Sequence, residues 1–369
     1  MRLNHIREMR KSFKKPFSSY LLAGLMCLVS FMTAQPASAT EEKEPIDVKE
    51  AVLGHMSDAY DWHITTWAGH HISIPLPVIV KSQKDGAWHM FSSSRFGHHG
   101  DEVYEGFYID ANRQGKIYEQ GFEERPWDLS ITKDVVQIWI NVLILLVVFL
   151  CCARWYKRRQ VQSGAPGGFV GMMEALILAI NDDVIKASIG EKHYRRYAPY
   201  LLTVFFFLLV TNLMGLIPIF PGGANVTGNI TITFLFATLT FLFINIFGNR
   251  EYWKEIFWPE VPTWMKCPLP LMPVIELFGI FTKPFALMVR LFANMLAGHA
   301  IILSLTCIIF ITFQVNAVVG TSLSAVSFVM ILFMDLLELL VAFIQAYVFT
   351  MLSAIFIGMS LPEHHAHND

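Results

Sequence analysis

The chain alternates between long apolar runs and short polar breaks, and the runs set its architecture. A basic start (Arg2, Arg7, Arg10, Lys11, Lys14, Lys15) is followed by 13 apolar residues at 20–32 and then by Ala37-Ser38-Ala39. That order of basic head, short apolar core and small-x-small triplet predicts a signal peptide over 1–39. Thirteen residues are few for a bilayer span, and an uncleaved anchor is the alternative. Residues 40–130 are polar and aromatic. Alternation in His71-Ile72-Ser73-Ile74-Pro75-Leu76 and Val103-Tyr104-Glu105-Gly106-Phe107-Tyr108-Ile109 predicts short strands, hence a small extracytoplasmic region. From 131 to 369 apolar runs dominate, with spans predicted at 135–153, 200–220 and 231–247. Residues 169–185 carry Val170, Met173, Leu176 and Ile177 at helical spacing and end in Asn181-Asp182-Asp183, which predicts an amphipathic helix on the membrane surface.

Two further runs are too long to stand upright. Residues 272–314 and 322–359 hold 43 and 38 residues, about 65 Å and about 57 Å as helices, against a hydrocarbon core of about 30 Å. No proline follows Pro284 before residue 360, so a long tilted or bent hairpin turning at 315–321 is favoured over a re-entrant break. Arg154-Trp155-Tyr156-Lys157-Arg158-Arg159 and the Arg250–Lys254 stretch lie inside by the excess of basic residues. With five crossings the exported N-terminus leaves the tail, 361–369, inside. The fold class is an all-α polytopic membrane protein with a small exported N-terminal region.

Composition narrows the function. Hydrophobic residues make up 54% and charged residues 16%, against about 25% charged in a soluble domain. No basic stretch sits on a soluble domain of any size, which disfavours nucleic-acid binding. None of the five cysteines falls in 40–130, and the seven histidines there (His55, His63, His70, His71, His89, His98, His99) match no compact metal motif. No Gly-rich Lys-Ser/Thr loop is present, so no nucleotide site and no cofactor are expected.

The chemistry lies in the long runs. The first carries Glu276, Lys283, Arg290, Asn294 and His299; the second carries Asp335, Glu338 and Gln345. Glu276, Lys283 and Arg290 are spaced by seven, and Arg290 and Asn294 by four, so each set shares a helix side. An arginine at bilayer depth costs roughly 3 kcal/mol or more. Hydrogen bonds between membrane helices return only about 0.6 kcal/mol each, so packing alone explains these groups poorly and ion transport explains them better. Glu338 and His299 can exchange protons near neutral pH. Arg290 stays charged and suits a fixed electrostatic gate. A secondary transporter or channel of another class, and a non-transporting membrane scaffold, are the rival readings; inverted repeats, common in transporters, are not visible.

Residues 130–360 closely resemble subunit a of the bacterial F-type ATP synthases, the stator of the membrane sector. The match is carried by Arg290-Leu291-Phe292-Ala293-Asn294-Met295-Leu296-Ala297-Gly298-His299, supported by Thr211-Asn212-Leu213-Met214-Gly215-Leu216-Ile217-Pro218, by Thr282-Lys283-Pro284 with Glu276 upstream, and by Glu338 with Gln345-Ala346-Tyr347-Val348-Phe349. The family usually has glycine where Ala293 stands, a small-for-small change. The resemblance implies a tilted hairpin against a rotating ring of c subunits, with Arg290 facing the ring carboxylate between two half-channels. It implies Gln345 near that arginine, Asn294 one turn beyond, and His299, Glu338, Glu276 and Asn212 as channel positions, with acid and imidazole exchanged between arms relative to other members. It further implies b-type peripheral-stalk partners, a bacterial inner-membrane location and ATP chemistry in other subunits. Residues 40–130 exceed what the family needs.

Overall fold

The computed structural model describes residues 57–359 apart from 68–69, 98–101, 111–112, 114, 159–166, 218–220, 248–249, 258–270 and 316. The expected signal segment, the tail and most of the stretch 255–270, which holds Pro259, Pro262, Pro268 and Pro270, therefore lie outside the described residues.

The polar region is built from three small antiparallel sheets: β1 (Asp61–Trp67) with β2 (His70–Pro75); β3 (Pro77–Lys81) between β4 (Trp88–Ser92) and β7 (Trp127–Asp128); and β5 (Phe107–Asp110) with β6 (Lys116–Glu119). Period-2 alternation drives Val78 and Val80 inward, onto Tyr60, Phe96, Phe107 and Ile117. The strand predicted over 103–109 is shorter than expected. Glu105 and Gly106 take φ of 52° and 84°, and Tyr104 and Phe107 exchange two 2.9 Å backbone bonds across them. A tight turn thus replaces the first half, as paired positive φ values demand.

The longer helices among the described residues that follow are α1 (Lys133–Arg158), α2 (Gly168–Ala179), α3 (Tyr194–Leu216), α4 (Ile230–Phe247), α5 (Arg250–Phe257), α6 (Leu271–Val315) and α7 (Ala317–Met359). Four of them contain stretches long and apolar enough to cross a membrane: α1, α3, α6 over Leu277–Ile309 and α7 over Leu323–Met359. The chain is thus a mostly helical, polytopic membrane protein. α1 outruns its predicted span because polar residues at its start remain helical, as Lys133 and Asp134 do before the apolar run, whereas α3 both starts and ends earlier than the predicted 200–220. Asn181-Asp182-Asp183 do not end α2 either. They form a π-helical turn, Ile180–Lys186, that continues to Gly190 at φ 85°. The turn expected at 315–321 is narrower: α6 runs to Val315 and α7 begins at Ala317.

Without a hydrophobic drive between helices in lipid, close packing must hold them together. On α7, Ala342, Ala346, Thr350 and Ala354 recur every fourth residue and are fully buried. Such a small-residue stripe lets backbones approach. Ala346 and Ala354 of the stripe share one core cluster with Leu201, Val204, Phe205 and Leu208 of α3 and Leu287 and Leu291 of α6. α6 and α7 lie antiparallel, since His299 meets Glu338 while Arg290 meets Gln345.

Candidate functional site

Polar groups buried between these apolar helices form several small hydrogen-bonded groups. His299 of α6 lies with Nδ1 2.6 Å from Glu338 Oε1 and Nε2 3.1 Å from the Gly215 carbonyl. Gly215 falls in the last turn of α3, where carbonyls lack an intrahelical partner, so its oxygen is free for the ring. A carbonyl only accepts, so Nε2 carries a hydrogen. The other nitrogen then shares one proton with Glu338, as imidazolium–carboxylate or as imidazole–carboxylic acid. Gly298 makes room for this pair. A Cβ there would stand 2.7 Å from Glu338 Oε1 and 2.9 Å from its Cδ.

Asn212 is three residues before Gly215 and on the same face of α3. It is fully buried, donates Nδ2 to the Ala342 carbonyl of α7 at 3.3 Å and accepts from Thr227 Oγ1 at 2.9 Å. Its neighbour Thr211 accepts from Asn141 Nδ2 at 3.2 Å, and Asn141 accepts from Gln137 Nε2 at 2.9 Å. One turn above, Asp134 Oδ2 accepts from Asn229 Nδ2 at 2.8 Å. Asp134, Gln137 and Asn141 make one buried polar edge on α1, while Leu143, Leu146, Val147 and Leu150 are exposed. At the N-terminal end of that edge the backbone N–H of Asp134 donates to Asp58 Oδ1 at 3.3 Å, and Lys116 Nζ lies 3.5 Å from Asp58 Oδ2. Gln137 Oε1 and Glu338 Oε2 are buried acceptors without a hydrogen-bond donor among the described residues.

The remaining predicted residues divide. Gln345 is buried and donates Nε2 to the Arg290 backbone carbonyl at 2.8 Å. Arg290 and Asn294 are both exposed, as are Ala286, Ala293 and Ala297 beside them. Among the described residues the Arg290 guanidinium has no ion-pair partner. Lys283 is exposed too, its Nζ 5.5 Å from the Phe356 ring centre. The Glu276 side chain lies outside the described ones. The polar groups of the two arms therefore do not simply face each other: His299, Glu338 and Gln345 turn inward, while Arg290, Asn294 and Asp335 turn outward. No group of three or more His, Cys, Asp or Glu side chains able to hold a metal occurs among the described residues.

Comparison with known proteins places this geometry. The family model described as ATP synthase A chain matches residues 135–358. ATP synthase subunit a of Chlorobium phaeobacteroides (strain DSM 266) is 45% identical over 261 residues, 69% of this chain and 70% of that one. That of Chloroherpeton thalassium is 42% identical over 269 residues, 72% and 77% of the two chains. That of Myxococcus xanthus is 35% identical over 308 residues, 81% and 91% of the two chains.

The chain belongs to the ATP synthase A chain family.

A second model, of a domain of unknown function (DUF8433), matches residues 51–134. The two matches meet at Asp134, where the polar edge of α1 begins. The residues that sequence reasoning missed cluster there: Asp134, Gln137, Asn141, Thr211, Thr227 and Asn229. The available signal was the 134/137/141 spacing, which puts three polar residues on one side of an apolar helix.

Proposed function

We propose that this chain is the proton-conducting stator subunit a of a rotary F-type ATP synthase, with Arg290 as the fixed charge between two half-channels. The observation that carries the reading is the division of polar groups on α6. A buried proton-sharing pair, His299 with Glu338, lies two to three turns from an exposed arginine that has no counter-charge among the described residues. Protons enter from the outer side along Asp134, Asn229, Gln137, Asn141, Thr211 and Asn212, and reach Glu338 and His299. Buried polar atoms need partners, and the free acceptors Gln137 Oε1 and Glu338 Oε2 are where water or an incoming proton would be held. The proton then passes to a carboxylate on the c-subunit ring. Once neutral, that site can turn into lipid; when the ring brings it to the inner half-channel, with Glu276 near the inner end of α6, the proton leaves. A membrane potential drives this with about 2.3 kcal/mol per charge per 100 mV.

The outward stripe of Ala286, Ala293 and Ala297 around Arg290 and Asn294 lets a ring helix approach closely, and Gln345 fixes the backbone behind the arginine. α6 and α7 would measure about 67 Å and about 64 Å, which fits a steeply tilted hairpin wrapped on a curved partner. α4 supplies a fifth crossing and α2 an interfacial helix. The N-terminal region is periplasmic after removal of 1–39, the C-terminus cytoplasmic, and b-type stalk subunits hold the chain in the inner membrane. ATP chemistry belongs to other subunits.

The test is Arg290→Ala in inverted vesicles. Assembly is expected to persist and ATP-driven proton pumping to fall below detection. Retained coupled pumping would leave the scaffold reading in its place.

A further inference from the structure

The sheet β4-β3-β7 has two unlike faces. Directly opposed residues on antiparallel strands share a face, and the pairs Val78–Phe91, Val80–His89 and Val80–Asp128 define the side that packs on the core. The pairs Ile79–Met90, Lys81–Trp88 and Lys81–Trp127 define the other side, and Leu129, two residues beyond Trp127, returns to it. There Trp88 is 51%, Met90 74%, Trp127 76% and Leu129 63% exposed. Large apolar side chains gathered on one open face mark a surface that meets a partner.

The way this sheet joins α1 identifies that partner. The pairing continues beyond β7: the N–H of Leu129 donates to the Ile79 carbonyl at 2.9 Å and that of Ile131 to Pro77 at 3.1 Å. Lys133, the first residue of α1, then donates to the Ala59 carbonyl at 3.0 Å. No free linker intervenes, and from Ile131 to Lys133 an extended chain covers at most about 7 Å. A sheet tied so closely to a membrane-crossing helix must stand at the membrane surface. The row Trp127–Lys81–Trp88 has the chemistry of that surface. Indoles settle at headgroup level, and a lysine between them can lay its stem on apolar groups and present its ammonium to phosphate.

The geometry points to this outer face as a lipid-docking surface, with Trp88, Met90, Trp127 and Leu129 set against the headgroup–acyl boundary of the adjacent leaflet. The inference goes beyond the proton-conducting reading and does not depend on it.

The assembled complex, reconstituted in phosphatidylethanolamine–phosphatidylglycerol vesicles that contain a headgroup-diazirine phosphatidylethanolamine, provides the test. Photolysis is expected to leave lipid adducts on the peptides holding Trp88, Met90, Trp127 and Leu129. The double substitution Met90→Asp with Trp127→Asp, at open positions outside the core, is expected to lower adducts at Trp88 and Leu129 by about tenfold. Adducts confined to the membrane helices, or cross-links from this face to another subunit or to residues 1–56, would overturn the proposal. So would oxidation of Met90 and Trp127 by hydroxyl radicals as fast as at water-facing sites.

Discussion

Two imidazole–carboxylate pairs among the described residues have nearly equal lengths and opposite surroundings. His299 Nδ1 lies 2.6 Å from Glu338 Oε1, with the side chains 14% and 3% exposed. His89 Nδ1 lies 2.7 Å from Glu105 Oε2, with the side chains 25% and 45% exposed. Distance alone would make them equivalent; the atoms around them do not. The second nitrogen of His299 is tied to a helix-end carbonyl, and among the described residues the second oxygen of Glu338 has no donor. The second nitrogen of His89 faces Asp85 at 3.5 Å, and water reaches both partners. Buried, the pair is suited to pass a proton; exposed, it is a clip between a strand and a turn.

Breaking the buried pair should have the larger consequence. Glu338→Gln keeps the shape and a hydrogen bond to His299 but cannot take up a proton. Proton flow through the complex is expected to fall about tenfold, less than for loss of Arg290, and its dependence on pH between about 6 and 8 to flatten. Dye-quenching rates in inverted vesicles measure this, and unchanged rates across that range would remove the relay role of Glu338.

A gentler change tests geometry. Gly298→Ala puts a methyl group 2.7 Å from Glu338 Oε1, so the carboxylate must move off His299. Overpacking of this size costs about 1–3 kcal/mol, and the displaced pair should pass protons about threefold more slowly. Combining it with Glu338→Gln separates the two effects. Any loss of assembly should appear in both backgrounds, whereas the loss of flow should vanish once residue 338 no longer carries a proton. A flow defect of equal size in both would mean that Gly298 acts on packing alone.

The two pairs also differ in how far the sequence revealed them. Arg290, His299, Glu338 and Gln345 stand out because lipid tolerates such groups only for a reason, and any polar residue in a 40-residue apolar run is conspicuous. The same contrast made the membrane helices legible. Their ends were not, because polar residues such as Lys133 and Asp134 do not forbid a helix. Asp134, Gln137 and Asn141 were harder to see at the edge of a run, where polarity is ordinary. Asn229 and Thr211 gave no local signal at all: their partners lie 95 and 70 residues away in the chain. His89 and Glu105 were equally silent, since their meeting depends on a turn in which Glu105 takes a positive φ.

That exposed pair yields the smallest effect, with a defined sign. The hydrogen bond to Glu105, aided by Asp85 and opposed by slight burial, raises the His89 pKa above the ordinary imidazole value. A group whose pKa is raised on folding binds its proton more tightly in the native state. Its contribution is therefore complete below the unfolded value of about 6.5 and is lost as pH rises through the folded value. Glu105→Gln should make the N-terminal sheet region easier to cleave by protease at about pH 6 and leave it indistinguishable from the parent at about pH 8.5. Because both partners are partly exposed, the difference should be small and should shrink further with added salt. The buried pair supplies the control, since Glu338→Gln should leave this protease sensitivity unchanged at either pH. A difference at pH 8.5 that persists in high salt would mean that Glu105 supports the turn through its backbone conformation, with no contribution from the charge on His89.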